Sequence, residues 1–251
     1  LKKAILTVAE LSIARGDVVA VVGPSGGGKS TLLKAILGLV PFTEGKLVFR
    51  GAAIVRPLDR MHRKLRREAE AVFQNPVAAL NRHRPLRHTI EEPLAASGMA
   101  AGPRRRLAEH TAARMGLAND VLDRLPLAVS VGQAQRAAIA RALAPRPSLL
   151  FLDEPLSALD AVIAHDVAHL LAQTIQTVRP TVLMVSHDLK IVRQEATRVL
   201  VVEDGLIVED APTEAFLATP QSSAGRALVE SDRRRRAVFE AAGAKALEMV
   251  P

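Results

Sequence analysis

Short blocks of consecutive apolar residues alternate along this chain with longer segments whose apolar positions recur at helical spacing. Val18–Val22 is the first such block. It is β-branched, bounded by Gly16 and Gly23, and predicts a strand buried on both faces. A helix is expected from Lys29 to about Leu37, stopped near Gly38. Lys46–Phe49 predicts a short strand after a turn at Glu44-Gly45. His62–Glu70 is charged and helix-prone, and is expected to be an exposed helix face. Ala71–Phe73 predicts a strand running into Gln74. From Asn75 to Ala144 the texture changes to alanine, arginine and leucine, with prolines at 76, 85, 93, 103 and 126. That composition predicts an insertion of several short helices. Its clearest member, Gln133–Ala144, is ended by Pro145.

Beyond the insertion the strand-and-helix rhythm returns. Ser148–Leu152 and Thr181–Val185 read as buried strands, with a helix from Ala158 to about Val178 between them. Val199–Glu203, Asp204-Gly205 and Leu206–Glu209 predict a hairpin with a tight primed turn. Helical residues follow to the end, and no internal repeat is visible. Buried strands alternating with helices argue for an α/β fold with a mostly parallel sheet. The expected organisation is one domain over 1–251. Its core is 1–74 and 145–215, its helical insertion 75–144, and its C-terminal helical extension 216–251.

Composition narrows the class. The 251 residues are 49% hydrophobic, enough for a folded core. No apolar run approaches the roughly 18–20 residues needed to cross a bilayer. No signal peptide is visible, and a cytoplasmic placement is expected. The chain opens on Leu1 and runs almost at once into a strand-like segment, which suggests that an N-terminal piece precedes it. There are no cysteines, which excludes disulfides, cysteine-ligated zinc and iron–sulfur clusters. The formal charge of +8 would suit nucleic acid or anionic headgroups. The only aromatics are six phenylalanines, little to stack on bases, so no nucleic-acid partner is expected. The run Arg233-Arg234-Arg235-Arg236 is expected to be solvated, and so are His165 and His169, one helical turn apart with no third ligand evident.

Two segments carry chemistry on their own. Gly23-Pro24-Ser25-Gly26-Gly27-Gly28-Lys29-Ser30-Thr31 matches the phosphate-binding pattern G-x-x-x-x-G-K-[ST], between a strand and a helix. Glycines allow the tight curvature that turns backbone N–H groups toward phosphate oxygens, and the helix N-terminus adds its positive dipole. Lys29 supplies a point charge for the β- and γ-phosphates, and the Ser30 hydroxyl a ligand for Mg²⁺. Ser148–Leu152 runs into Asp153 and Glu154. Asp153 can hold Mg²⁺, and Glu154 can accept a proton from water attacking the γ-phosphate.

Five further segments give the chain a resemblance to ABC transporter ATPases over nearly its whole length. Ser130-Val131-Gly132-Gln133 resembles the signature S-G-G-Q, continued by Gln135-Arg136. Gln74 after Val72-Phe73 looks like the Q-loop, Ser157-Ala158-Leu159-Asp160 like the D-loop, and Ser186-His187-Asp188 like the switch histidine. The resemblance implies a P-loop NTPase core of RecA-like type, a small antiparallel β part, and an inserted helical subdomain. It implies ATP and Mg²⁺ as cofactors. It also implies a second ATPase subunit, identical or different, so that Ser130 and Gly132 contact the γ-phosphate held by the partner. His187 would then hold the γ-phosphate and the attacking water. Gln74 would sense the γ-phosphate or Mg²⁺, and Asp160 would shape the interface. The run Val72-Phe73-Gln74-Asn75-Pro76, then Ala79-Leu80-Asn81, then Ile90-Glu91-Glu92-Pro93-Leu94 is similar to the oligopeptide, dipeptide and nickel importer ATPases. That likeness implies an importer with two permease subunits and, indirectly, a substrate-binding protein, at the cytoplasmic face of the membrane.

The chain departs from the family pattern in three places. Val131 replaces the first glycine of the signature pair, adding bulk and restricting the backbone. No aromatic precedes Phe42 to stack on adenine, so that residue either lies upstream or is replaced by aliphatic contacts. The C-terminal cysteine cluster of some peptide-importer relatives is ruled out. Two alternatives therefore stay open: a non-transport ABC ATPase working on nucleic acid or the ribosome, and a regulatory subunit that hydrolyses ATP weakly.

Overall fold

The computed structural model describes residues 5–41, 43–54 and 59–248. Leu1 to Ala4, Phe42 and the last three residues of the expected C-terminal extension lie outside them. The chain begins with β1 (Val18–Val22), α1 (Lys29–Ile36), β2 (Leu47–Phe49), β3 (Ala52–Ile54), α2 (Arg60–Glu68) and β4 (Ala69–Val72). The helical stretch follows as α3 (Pro76–Ala79), α4 (Leu86–Ala96), α5 (Ala101–Arg114), α6 (Asn119–Leu122), a 3₁₀ turn at Pro126–Ala128, and α7 (Val131–Leu143). It returns as β5 (Leu149–Asp153), α8 (Ala161–Val178), β6 (Thr181–Val185), α9 (Leu189–Glu195), β7 (Arg198–Glu203) and β8 (Leu206–Pro212). Helices α10 (Thr213–Ala218) and α11 (Ser223–Glu248) close it.

Six strands form one sheet in the order β4-β5-β6-β1-β7-β8. All neighbours are parallel except the β7–β8 hairpin. A parallel sheet must be covered on both faces, and the alternation of side chains along β1 does this. Val18, Ala20 and Val22 belong to a large apolar cluster with α4, α5, α7, α8 and α9. Val19 and Val21 point the other way, onto Leu32 and Leu33 of α1 and Leu65 of α2. Register then sets the functional edge. Val72 pairs with Leu152, Leu152 with Met184, and Val21 with Val185. The residues that follow β1, β4, β5 and β6 therefore leave the sheet at one edge, its carboxyl end, where open α/β sheets bind ligands.

Several boundaries differ from the sequence expectation, each for a local reason. Helix α7 starts at Val131, because Ser130 is its N-cap and forms a reciprocal capping box with Gln133. Helix α8 starts at Ala161, because the Asp160 carboxylate accepts from the Ile163 N–H and caps it. Helix α2 ends at Glu68, and Ala69 and Glu70 join β4 opposite Leu149 and Leu150. Two elements were not expected. Strand β3 pairs with β2 across Arg50-Gly51, both at positive φ, and α9 is capped by Asp188. The expected exposure of His62–Glu70 is corrected at His62 and Leu65, which are buried. The His62 ring lies under α1, its Nε2 3.2 Å from the Ile36 carbonyl oxygen.

The arginine run of α11 is anchored rather than merely solvated. The Arg233 guanidinium donates to the Leu217 carbonyl at 3.1 Å, and Arg193, Arg235 and Arg236 all pair with buried Asp232. Glu209 on β8 holds the start of that helix. Its carboxylate accepts from the Gln221 N–H at 2.9 Å and from the Ser222 N–H and Oγ at 2.8 and 2.6 Å. Burial pushes its pKa up, but these hydrogen bonds and Arg226 outweigh burial and hold it below the ordinary value near 4.5.

Two predictions follow from this packing. Gly38 has φ +68, and a Cβ there would stand 1.7 Å from His62 Cε1. Replacing Gly38 by Ala combines a left-handed backbone with a steric clash, a cost of about 2 kcal/mol or more. At this chain length that lowers the melting temperature by about 4–8 °C in a thermal scan. For Glu209 the depressed folded pKa means stability that is present above about pH 4.5 and lost as pH falls through the folded value. Glu209→Gln should cost about 1–3 kcal/mol at pH 7. Denaturant titrations should show that gap narrowing below about pH 4.5, and a gap that widens in acid would contradict the assignment.

Candidate active site

The phosphate loop is shaped by contact with strand β7. Gly23 has φ +139, and a Cβ there would stand 2.0 Å from the Val202 carbonyl oxygen. At Gly27 the same oxygen would be 2.9 Å away. The loop lies so close to β7 that side chains are excluded at both positions. The turn of the same hairpin adds a support, where the Gly205 N–H donates to the Gly27 carbonyl at 3.0 Å. Helix α1 opens at Gly28 with no side-chain cap, so the amide groups of its first turn face the loop interior undirected by any cap.

Lys29 is buried and donates to the carbonyls of Gly23 at 2.9 Å and Pro24 at 2.7 Å. Burial lowers its pKa, against the opposing pull of Glu154 and Asp153. Its ammonium therefore lies within the electrostatic field of both carboxylates at the end of β5. Ser30 Oγ donates to Asp153 Oδ1 at 2.8 Å across 123 positions of sequence. Asp153 is buried, which raises its pKa, while Ser30, Lys34 and Lys29 oppose the rise. Two hard oxygen donors side by side, one of them a buried carboxylate, are the donor set that Mg²⁺ takes. Ser30 and Asp153 fit the expected metal. Gln74 is not bonded to either of them and turns to Glu154.

Glu154 is the meeting point. Its backbone adopts φ +49, a left-handed conformation uncommon for a side chain of this size, fixed by its N–H donating to the Val185 carbonyl at 3.1 Å. The carboxylate is engaged on both oxygens. His187 Nε2 lies 2.8 Å from Oε1, and Gln74 Nε2 donates to Oε2 at 3.1 Å. Residues 74, 154 and 187 come from the ends of three adjacent strands and converge as the shared sheet edge requires.

The remaining candidates stand apart. Ser130 and Gln133 cap α7, and no hydrogen bond among the described residues links them or Gly132 to the phosphate loop. Asp160 caps α8. Val131 is the first residue of α7 with φ outside the positive region, and it is 54% exposed. The valine therefore strains nothing in the backbone, and its effect is bulk on an exposed helix tip. Pro24, Ser25 and Gly26 form the exposed crest of the loop, and Thr31 follows in the first turn of α1. Sequence reasoning missed Lys34, which acts on Asp153, and named Gln135 only as a continuation of the signature pattern, without its role as a buried amide that donates to the Pro155 carbonyl at 2.6 Å. Neither has a local signal, because each acts across the fold. His165 and His169 are exposed, and among the described residues no cluster of metal-binding side chains was found.

Comparison with known proteins places the chain in a family. The family model described as ABC transporter matches residues 6–157. The probable D,D-dipeptide transport ATP-binding protein DdpF of Escherichia coli is 36% identical over 223 residues, spanning 88% of this chain and 68% of that protein. The nickel import ATP-binding protein NikE of Brucella suis is 38% identical over 232 residues, spanning 92% and 86%. Among solved structures, the dimeric ATP-binding cassette MJ0796 bound to ADP and Pi superposes with a TM-score of 0.73 at 31% identity, covering 81% of this chain and 88% of that one. CbiO1 of Clostridium perfringens, part of the transporter complex cbiONQ, superposes at 0.69 with 27% identity over 85% and 84%. The phosphate loop moulded on β7, the paired Ser30–Asp153 and the doubly held Glu154 thus lie on a backbone shared with transporter cassettes, and the chain belongs to the ABC transporter family, as one of its ATP-hydrolysing cassettes.

Proposed function

We propose that this chain is the ATP-hydrolysing subunit of an importer for peptides or for nickel and related metal chelates. The observation that carries the reading is Glu154, held between Gln74 and His187 at the sheet edge that also presents Lys29 and the Ser30–Asp153 pair. The import assignment rests on relatives named for peptide and nickel import at 36–38% identity. No helix among the described residues is long and apolar enough to cross a membrane. As the cassette of such an importer, the chain would work peripherally, at the cytoplasmic face, with a second ATPase subunit, two permease subunits and, through them, a substrate-binding protein.

The geometry supports the following division of labour. The crest Gly23–Gly28 and the N-terminus of α1 bind the phosphates of ATP through backbone N–H groups. Lys29 leaves the loop carbonyls to pair with the β- and γ-phosphates. Ser30 and Asp153 would hold Mg²⁺, joined by Gln74 once it leaves Glu154, and the ion would supply positive charge against the charge developing on the phosphates. Glu154 accepts the proton of the attacking water, and His187 holds that water and the γ-phosphate. Ser130, Gly132 and Gln133 serve the partner's nucleotide rather than their own, in keeping with the lack of any hydrogen bond, among the described residues, between them and the phosphate loop. Asp160 shapes the contact between the two subunits.

Val131 makes the two composite sites unequal when the partner is a different ATPase. Its exposed isopropyl group occupies the helix tip that must approach the partner's γ-phosphate. The site built on this chain's own Lys29 and Glu154 is untouched by it.

Two measurements test the reading. Glu154→Gln should lower Mg·ATP turnover of the purified chain by about 10²–10⁴-fold while ATP binding persists, the range a general base contributes. Turnover equal to wild type would remove Glu154 from the mechanism. In the assembled two-ATPase complex, Val131→Gly should raise turnover at the site holding the partner's phosphate loop. An unchanged rate and ATP affinity would show that the valine is neutral.

A further inference from the structure

Helix α7 carries three polar side chains that reach backbone carbonyls of other elements. Gln135 is fully buried, and its amide donates to the Pro155 carbonyl at 2.6 Å, one residue beyond Glu154. Arg141, half-buried, donates to the Ala71 carbonyl at 2.9 Å and the Ala79 carbonyl at 3.4 Å. Those two acceptors bracket the segment that carries Gln74. Arg136 donates to the carbonyls of Met115 and Gly116 at 3.1 and 3.0 Å, tying α7 to the end of α5. At the front of the helix, Gly132 packs so that a Cβ there would stand 3.6 Å from Leu159 Cδ2.

All of these acceptors are main-chain oxygens, so the bonds fix where the backbone lies. The side chains themselves are incompletely satisfied: Gln135 Oε1, Arg136 Nε and Arg141 Nε are buried without a hydrogen-bond partner. An orphaned buried polar atom destabilises the fold, so part of what Gln135 contributes through its bond to Pro155 is offset by its own unpaired oxygen. A buried amide retained under that penalty, and spent on the loop of the catalytic carboxylate, is better explained by positioning.

We propose that Gln135 and Arg141 are positioning residues that bind the Glu154 loop and both ends of the Gln74 segment to α7, so that the helix tip bearing Ser130 and the catalytic carboxylate move as one body. The consequence is a route between the two composite sites. When Ser130 and Gly132 close on the partner's nucleotide, the displacement of α7 is transmitted through Gln135 to Pro155 and through Arg141 to the Gln74 segment. Both ends of the route meet on the same carboxylate, because Gln74 and Glu154 are themselves hydrogen-bonded. The inference rests on the roles given above to Glu154 and Gln74.

The test uses Gln135→Met and Arg141→Lys in the full chain. Methionine keeps the volume, removes the donor and also removes the orphaned oxygen. Lysine keeps the charge but cannot span two carbonyls as the guanidinium fork does. Hydrogen exchange should rise about fivefold or more over residues 154–160 for Gln135→Met and over 73–80 for Arg141→Lys, as loss of a hydrogen bond worth about 1 kcal/mol requires. Exchange across residues 181–185 should not change. Turnover should fall by at least the same factor with the KM for ATP within about twofold, and the melting temperature of Gln135→Met should stay within about 4 °C of wild type. A folded Gln135→Met with wild-type exchange over 154–160 overturns the proposal, as does a variant that loses melting temperature without losing turnover. Should Gln135→Met fail to fold, Arg141→Lys decides by the same exchange criterion over 73–80. A wild-type chain without any ATPase activity would count against the proposed function instead, and the exchange measurements would still decide this inference.

Discussion

Everything at the active edge depends on how closely the phosphate loop lies against strand β7. The Val202 carbonyl oxygen occupies the space where Gly23 and Gly27 would otherwise carry side chains. That approach holds the loop in one curvature and aims the α1 N-terminus along the sheet edge. It also brings Ser30 within 2.8 Å of Asp153, two strands away in the sheet order. A loop standing off the sheet by the width of a methyl group would separate the hydroxyl from the carboxylate and break the pairing. The glycines are thus a condition of assembly for the site, and the parallel order of β5, β6, β1 and β7 is the condition for the glycines to matter.

The same edge concentrates uncompensated charge. Asp153 is buried, its pKa raised by that burial, and Lys29 is buried with its pKa lowered. Each shift reports a charge taken from water and only partly repaid by its neighbours. Lys29 bonds to the carbonyls of its own loop, and Glu154 bonds to Gln74 and His187. These are exchangeable partners: a phosphate offers Lys29 a stronger acceptor than a carbonyl, and an attacking water offers Glu154 a proton to accept. The left-handed backbone at Glu154 places strain at the residue proposed to accept that proton.

Much of this was legible in the sequence. Strands β1 and β6 were bounded correctly, because short β-branched blocks between glycine, proline and polar residues have few other uses. The phosphate loop and the Asp153-Glu154 pair were legible because their chemistry demands fixed residue types at fixed spacing. The convergence of Gln74, Glu154 and His187 was implied only by family resemblance, since nothing local joins positions 74, 154 and 187. What stayed hidden was of two kinds. Short elements such as Ala52–Ile54 and Leu189–Glu195 are below the length at which periodicity speaks, and their signals are a single Gly51 and a single Asp188 cap. Contacts of high sequence separation leave no local trace at all. The burial of His62 under Ile36 and Gly38 is one such contact, and the Gln135–Pro155 bond is another.

Val131 shows how structure can invert a sequence argument. A β-branched residue in a glycine position suggests a restricted backbone, yet Val131 lies in an ordinary helical turn behind a complete capping box. Ser130 and Gln133 satisfy one another's backbone amides whatever side chain lies between them. The helix is therefore as well started with valine as with glycine, and β-branching costs it only a few tenths of a kcal/mol at an exposed position. On the proposal of two composite sites, the bulk of the valine bears on the partner's site at this exposed helix tip, and Lys29, Asp153 and Glu154 lie apart from it.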